Sequence, residues 1–184
     1  MRWASTTFMV IKQNSNEIKM YTTKYIHQTH LNASPEKVYR WHEEPSALQR
    51  LTPEEDAIDV VKAAKLGDGN QAHLRIPLLG CCLYVDWTAE LENVKPGREF
   101  SDRQINGPFK IWRHRHLFLK SESRGCLMRD EIEFVMPGGK LVHSAFSPFV
   151  VSKLRQVFTY RHQILINEFG EVHPELFNES SQSH

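Results

Sequence analysis

Two histidines two residues apart, with an aspartate one strand away, are the residues here best suited to chemistry. The stretch Phe100 to Phe118 reads Phe-Ser-Asp-Arg-Gln-Ile-Asn-Gly-Pro-Phe-Lys-Ile-Trp-Arg-His-Arg-His-Leu-Phe. Asn106, Gly107 and Pro108 divide it into two extended runs, a hairpin signal. In the second run alternation sets Trp112, His114, His116 and Phe118 on one face and Arg113, Arg115 and Leu117 on the other. The next run, Cys126 to Met136, carries Met128, Ile132, Phe134 and Met136 on the face that also holds Asp130. A turn centred near Ser123 places Asp130 opposite His116 and Phe134 opposite Trp112, whereas a slip of one residue swaps the faces. A carboxylate facing inward needs a partner or a raised pKa.

For the inward polar set Asp102, Gln104, His114, His116 and Asp130, three uses compete. They can fix the polar end of an otherwise apolar ligand, as a few placed polar groups do in most pockets. They can form a buried hydrogen-bonded network joining three strands, with the ligand elsewhere. Or they can do chemistry: a His–Asp pair serves as general acid and base, so a cyclase, aromatase or dehydratase using His114, His116 and Asp130 is the enzymatic alternative. A metal is a variant of the third use. His-x-His on a strand sets the ring-bearing carbons about 6.5–7 Å apart, within reach of one ion, and an aspartate supplies a third ligand. No third histidine or cysteine is placed to complete such a set, so neither metal nor other cofactor is expected. A weaker alternative is an interaction module that docks through the outer arginines, Arg113 and Arg115.

The elements that must hold these residues follow from pattern. Met20 to Leu31 alternates as a first strand, with Tyr21, Thr23, Tyr25, His27 and Leu31 on one face. Ser34-Pro35 is an N-cap followed by a first-turn proline, and Val38, Trp41 and His42 stripe the short helix it opens. Ser46 to Leu51 offers a second short helix. Strands follow at 57–66 (Ile58, Val60, Ala64 and Leu66 inward, Lys62 interrupting), at 72–78 and at 83–91, where Leu83, Val85, Trp87, Ala89 and Leu91 share a face. Ser147-Pro148 reads as the start of a long helix from Phe149 to Glu168. Val150, Leu154, Val157, Phe158, Arg161 and Leu165 keep its three- and four-residue spacing, and Gly170 is its C-cap. Arg161, inside that apolar stripe, pairs with a carboxylate such as Asp102 or reaches the mouth of a cavity.

Composition bounds the rest. A chain of 184 residues, 40% hydrophobic and 24% charged with net charge +1, suits one domain and lacks the basic surplus of a polyanion binder. Nucleic acid is therefore not expected as a partner. Cys81, Cys82 and Cys126 form neither a disulfide framework nor a zinc spacing, which fits a reducing, cytoplasmic setting. The apolar run Phe8-Met-Val-Ile is too short for a signal-peptide core or a membrane span. The expected plan is a loose lead-in over 1–19, one domain over 20–170 and a tail over 171–184.

One strand, two short helices, about six further strands and a long C-terminal helix is an α+β order. That order resembles the helix-grip fold of the SRPBCC superfamily, which takes in START-type lipid-transfer proteins, polyketide cyclases and coenzyme Q-binding proteins. A narrower likeness, over about residues 20–170, is to a bacterial ligand-binding branch also found fused to epimerase-like domains. It is carried by Trp41-His42, Ala47-Leu48, Leu51-Thr52-Pro53, Trp87, Phe100, Asp102, Gln104, Gly107-Pro108-Phe109, Trp112-x-His114-x-His116-x-Phe118, Asp130 and Phe158-x-Tyr160-Arg161-His162. The resemblance implies a curved antiparallel sheet wrapped around the C-terminal helix, with a cavity between them for a small hydrophobic molecule or lipid. It implies no reaction. The expected ligand-contacting set is Trp87, Phe100, Asp102, Gln104, Trp112, His114, His116, Asp130, Phe134, Phe158 and Arg161. No stable membrane insertion is expected, and any epimerase-like partner would be a separate chain.

Overall fold

The computed structural model describes residues 21–78, 83–121 and 125–172. Cys81, Cys82, the expected lead-in and the tail beyond Val172 lie outside the described residues. Alternation in the sequence becomes seven strands: β1 (Thr23–Leu31), β2 (Asp59–Lys62), β3 (Gln71–Leu78), β4 (Leu83–Lys95), β5 (Glu99–Asn106), β6 (Ile111–Lys120) and β7 (Cys126–Val135). Three α-helices accompany them, α1 (Pro35–His42), α2 (Ala47–Arg50) and α3 (Gly139–Phe169), with a short 3-10 turn at Glu54–Asp56. The strands form one sheet in the order β1-β7-β6-β5-β4-β3-β2, antiparallel throughout. This is the helix-grip fold, with two short helices after the first strand and the long helix across the sheet.

Local chemistry explains the ends of these elements. Ser34 Oγ accepts the Lys37 N–H at 3.3 Å, with Pro35 in the first turn, so α1 begins where an N-cap followed by proline requires. Curvature comes from β4. Its pairing with β5 shifts register between Thr88 and Ala89 and again between Glu92 and Lys95, and Asn93 is left-handed at φ 55. Such bulges bend a strand and strengthen its twist, which turns the sheet into a wrap.

Two expectations are corrected. The strand expected over 57–66 is only Asp59–Lys62, because Ala57 sits left-handed at φ 49 to end the 3-10 turn and a bulge interrupts pairing at Val60/Lys62. The long helix starts at Gly139, not after Ser147, and Pro148 lies inside it. A proline there costs the helix one N–H donor, but the turns before it are anchored by buried His143. That ring accepts the Met136 N–H at Nδ1 (3.1 Å) and meets Thr23 Oγ1 from Nε2 at 2.9 Å. Gly138 caps the helix at φ 91, where a Cβ would stand 2.9 Å from Val142, so glycine alone fits. Glu171 bridges Leu31 and the Val172 N–H donates to His30 O at 3.2 Å.

Two apolar clusters hold α3 to the sheet. Near its C-terminal end Leu165 and Phe169 pack with Leu31, Val38, Tyr39, Trp41, Phe100 and Phe118. Nearer its middle Leu154 and Phe158 pack on Ile132 and Phe134, with Tyr25, Trp112 and Val150 at the margin. Among the described residues no helix is long and apolar enough to cross a membrane.

Candidate functional site

A cavity of about 430 Å³ lies between the sheet and α3 and is lined by residues of both clusters. Its wall on β3 and β4 is made by Ala72, Leu74, Ile76, Trp87, Ala89 and Leu91, and its wall on α3 by Phe149, Val150, Lys153, Leu154, Val157, Phe158 and Arg161. The volume falls within the usual range of about 300–1,000 Å³ for small-molecule pockets. Phe149, highly exposed as well as lining, marks the open side.

The polar end is built by three adjacent strands. Pairing of β5 with β6 sets Asp102 opposite His114 and Phe100 opposite His116, and pairing of β6 with β7 sets His116 opposite Asp130. The strand alternation thus delivers both imidazoles, 5% and 8% exposed, to one face between two carboxylates. His114 Nε2 bonds Asp130 Oδ1 at 3.0 Å, and His116 Nδ1 lies 2.8 Å from the same oxygen but out of line for a hydrogen bond. The other ring nitrogens turn to Asp102: its Oδ2 is 3.5 Å from His114 Nδ1 and 3.6 Å from His116 Nε2. The two rings lie with centroids 3.8 Å apart, and Phe100 stacks on His116 at 4.2 Å.

Burial and charge set the protonation of this box. Burial alone would raise Asp130, but the two imidazoles outweigh it and hold the carboxyl well below its ordinary range. Burial pulls His114 down, with His116 adding to the effect. Burial also opposes charge on His116, yet Asp102 and Asp130 overcome it and raise its pKa. The first proton the box takes up therefore goes to His116. Burial lowers Arg161, with Asp130 and Asp102 opposing; it remains a cation. Its Nε–H donates to Leu51 O at 3.0 Å and it lines the cavity, so of the two expected placements the structure shows the one at the cavity, with only a long-range link to the carboxylates.

Of the expected contact residues, Trp87, Phe100, Asp102, Trp112, His114, His116, Phe158 and Arg161 line the cavity. Asp130 stands behind the histidines, and Phe134, fully buried, belongs to the core under Leu154 and Phe158. Gln104 is spent on the hairpin turn. Its Nε2 donates to Phe109 O at 2.7 Å and its Oε1 accepts the Phe109 N–H at 3.3 Å. A Cβ on Gly107 would stand 2.4 Å from that Oε1, so glycine and glutamine are a matched pair there.

Two polar features escaped the sequence. His42 lines the cavity, its Nδ1 directed at Val38 O at 2.8 Å, while buried Nε2 has no hydrogen-bond partner. Burial pushes its pKa down to about 4, leaving a neutral ring with an acceptor nitrogen. Its place on the α1 stripe was the available signal. Lys153 pairs with Asp56, and both line the cavity; Lys153 stands two helical turns, about 12 Å, before Arg161. Nothing in the sequence joined a loop aspartate to that lysine.

On the outer face of the sheet Arg115 and Arg103 have carboxylate partners. Arg115 Nη2 pairs with Glu99, its Nη1 lies 3.9 Å from Glu131, and Arg103 pairs with Glu90 at 2.7 Å and Glu92 at 3.4 Å. Cations and carboxylates alternate there across neighbouring strands.

A protein-family profile described as "Domain of unknown function (DUF8410)" matches residues 29–169, a span that holds every element from the end of β1 to the end of α3. The chain belongs to the DUF8410 family. No curated protein matches it. Solved structures share the fold of this DUF8410 chain. TTHA0849 from Thermus thermophilus is 17% identical, with a TM-score of 0.58 over 80% of this chain and 98% of its own. Zhui aromatase/cyclase from Streptomyces sp. R1128 is 11% identical, with a TM-score of 0.60 over 80% of this chain and 93% of its own. A nucleoside-diphosphate sugar epimerase from Corynebacterium glutamicum is 24% identical, with a TM-score of 0.59 over 79% of this chain but only 28% of its own. These identities establish shared architecture and no more.

Proposed function

We propose that this protein binds a small hydrophobic or lipid-like molecule between the sheet and α3, with the polar group of the ligand held by His42, His114, His116, Asp102 and Arg161. The observation that carries this reading is the cavity itself: aliphatic and aromatic side chains over most of its wall, with imidazoles, a carboxylate and a guanidinium converging at one end. Binding, with transport or sequestration of the ligand, needs nothing further. This reading treats the family as a branch of the SRPBCC superfamily, which the shared fold and the residues from Phe100 to Asp130 support.

Ala89 supplies the test. It lines the cavity beside its cross-strand partner Ala72, so Ala89→Trp projects an indole into the space a ligand would take. Native mass spectrometry and titration with an environment-sensitive apolar fluorophore should show binding by the natural chain. The variant should lose at least about ten-fold in affinity, roughly 1.4 kcal/mol, while far-UV circular dichroism stays unchanged. Undiminished binding by a folded Ala89→Trp protein overturns the assignment.

A second reading is favoured by one observation. His116, drawn toward the charged form by two carboxylates, lines the cavity, a placement that suits proton transfer in a ring-closing dehydration. If His114→Ala and His116→Ala change binding but leave turnover of poly-β-ketone substrates at the uncatalysed rate already seen with the natural chain, the enzymatic reading fails.

A further inference from the structure

Three electron-rich atoms converge on one point of the polar end. Asp130, buried, bonds Nε2 of His114 and lies 2.8 Å from Nδ1 of His116, so its charge draws the N–H of a neutral His114 to Nε2 and favours the Nδ1–H form of His116. The remaining nitrogens, His114 Nδ1 and His116 Nε2, then present lone pairs toward Asp102 Oδ2 at 3.5 and 3.6 Å. Two lone pairs facing a carboxylate oxygen repel unless positive charge sits among them, either a proton on one ring or a metal ion. The spacing exceeds a good hydrogen bond and matches another geometry. Donors held 2.0–2.2 Å from one ion in a tetrahedral array stand about 3.3–3.6 Å apart. All three donor atoms lie within 4.8 Å of one another.

We propose that Asp102, His114 and His116 bind a divalent transition metal of the zinc type, with Asp130 as the outer carboxylate that orients both rings. Two imidazoles and a carboxylate are a donor set for zinc, cobalt or ferrous iron. A carboxylate on the far nitrogen of a ligating histidine fixes its tautomer and raises its basicity, and here a single aspartate serves both rings. All three ligands line the cavity whereas Asp130 does not, so the remaining coordination position faces the ligand space. Arg161, tethered to Leu51 O, lines the same cavity. Metal and guanidinium together favour an anionic oxygen donor, such as a carboxylate or enolate, on an apolar body. The site goes beyond the ligand-binding reading and is measured without any organic ligand, so either can fail alone.

The full chain, stripped with chelator and dialysed, is titrated with Zn²⁺ by calorimetry and with Co²⁺ by visible absorption. One equivalent should bind, with protons released as the rings are metallated, and Co²⁺ should show the intense d–d bands of four-coordination. Asp102→Asn, close in size at a half-buried position, should lower affinity by more than about 100-fold and His116→Ala should do the same; Asp130→Asn should weaken binding about 10–100-fold with stoichiometry kept. Circular dichroism confirms each fold, and Asp102→Asn decides the question if a histidine variant does not fold. Absence of stoichiometric binding by the natural chain, or binding that survives Asp102→Asn undiminished, overturns the proposal.

Discussion

Replacing Asp130 with Asn removes a charge from the most enclosed part of the polar box and leaves its shape almost unaltered. The carboxylate is 4% exposed and touches His114 Nε2 at 3.0 Å and His116 Nδ1 at 2.8 Å. A hydrogen bond to a charged group contributes about 1.5–3 kcal/mol. Both rings meet the same oxygen, so an Asn amide oxygen in that place keeps both contacts only in neutral form, while an NH₂ group takes the place of the other carboxylate oxygen. The expected loss is about 3 kcal/mol, at the lower edge of the range for breaking a buried ionic set. Urea unfolding in chelating buffer reads it: with a slope of about 2–3 kcal/mol per molar, the midpoint should fall by about 1–1.5 M. A cycle with His116→Gln should return a coupling of roughly 1–3 kcal/mol. The pH dependence has a definite sign. The depressed Asp130 contributes fully above its ordinary 3.8 and loses that contribution as pH falls toward its folded value. The raised His116 contributes below its ordinary 6.5 and loses that share as pH rises through its folded value. The gap between natural chain and variant should therefore be widest between pH 3.8 and 6.5 and narrow on both sides. A loss below about 0.5 kcal/mol, or a gap that keeps widening in acid, refutes the buried carboxylate between two imidazoles.

Other consequences are simpler. His42, pushed down to about 4, stabilises the fold as a neutral ring above its ordinary 6.5, and stability should fall by up to about 3 kcal/mol between pH 6.5 and 4. His42→Gln should flatten that part of a urea-midpoint profile; an unchanged slope would remove His42 from the account. Pro148→Ala restores an N–H donor inside α3 and should raise stability by about 1–2 kcal/mol in thermal or urea unfolding. A loss instead would show that the helix needs the proline. Gln104→Ala unclips the β5–β6 turn and should cost about 1–2 kcal/mol, while affinity for an apolar fluorophore stays constant; a large loss of affinity would return Gln104 to the ligand.

What could be read in advance depended on range. Period-two alternation placed His114 and His116 on one face with Trp112, and Asp130 on the matching face of the next strand, because side-chain direction in a strand is a local property. In the sheet His116 stands opposite Asp130. Gln104 shows the limit of the same logic. Its direction was right, yet its amide closed on the turn five residues away instead of on the cavity. Pro148 misled for a different reason. Ser-Pro is a sound helix start locally, and the anchoring of His143 by Thr23, 120 residues away, is invisible at that scale.

By itself the sequence determined the element order, the faces of the strands and the types of residue that meet at the polar end. These follow from backbone sterics, alternation and the need to bury apolar surface. Only the tertiary structure decided that Asp102 closes the box from one side and Asp130 from the other, that His42 and the Lys153–Asp56 pair belong to the cavity, and that Arg161 is tethered to Leu51. Those relations depend on how far a curved sheet bends around a helix. That curvature is set by bulges and packing summed over many strands, so the pair of histidines acquires its partners only when the whole sheet has closed.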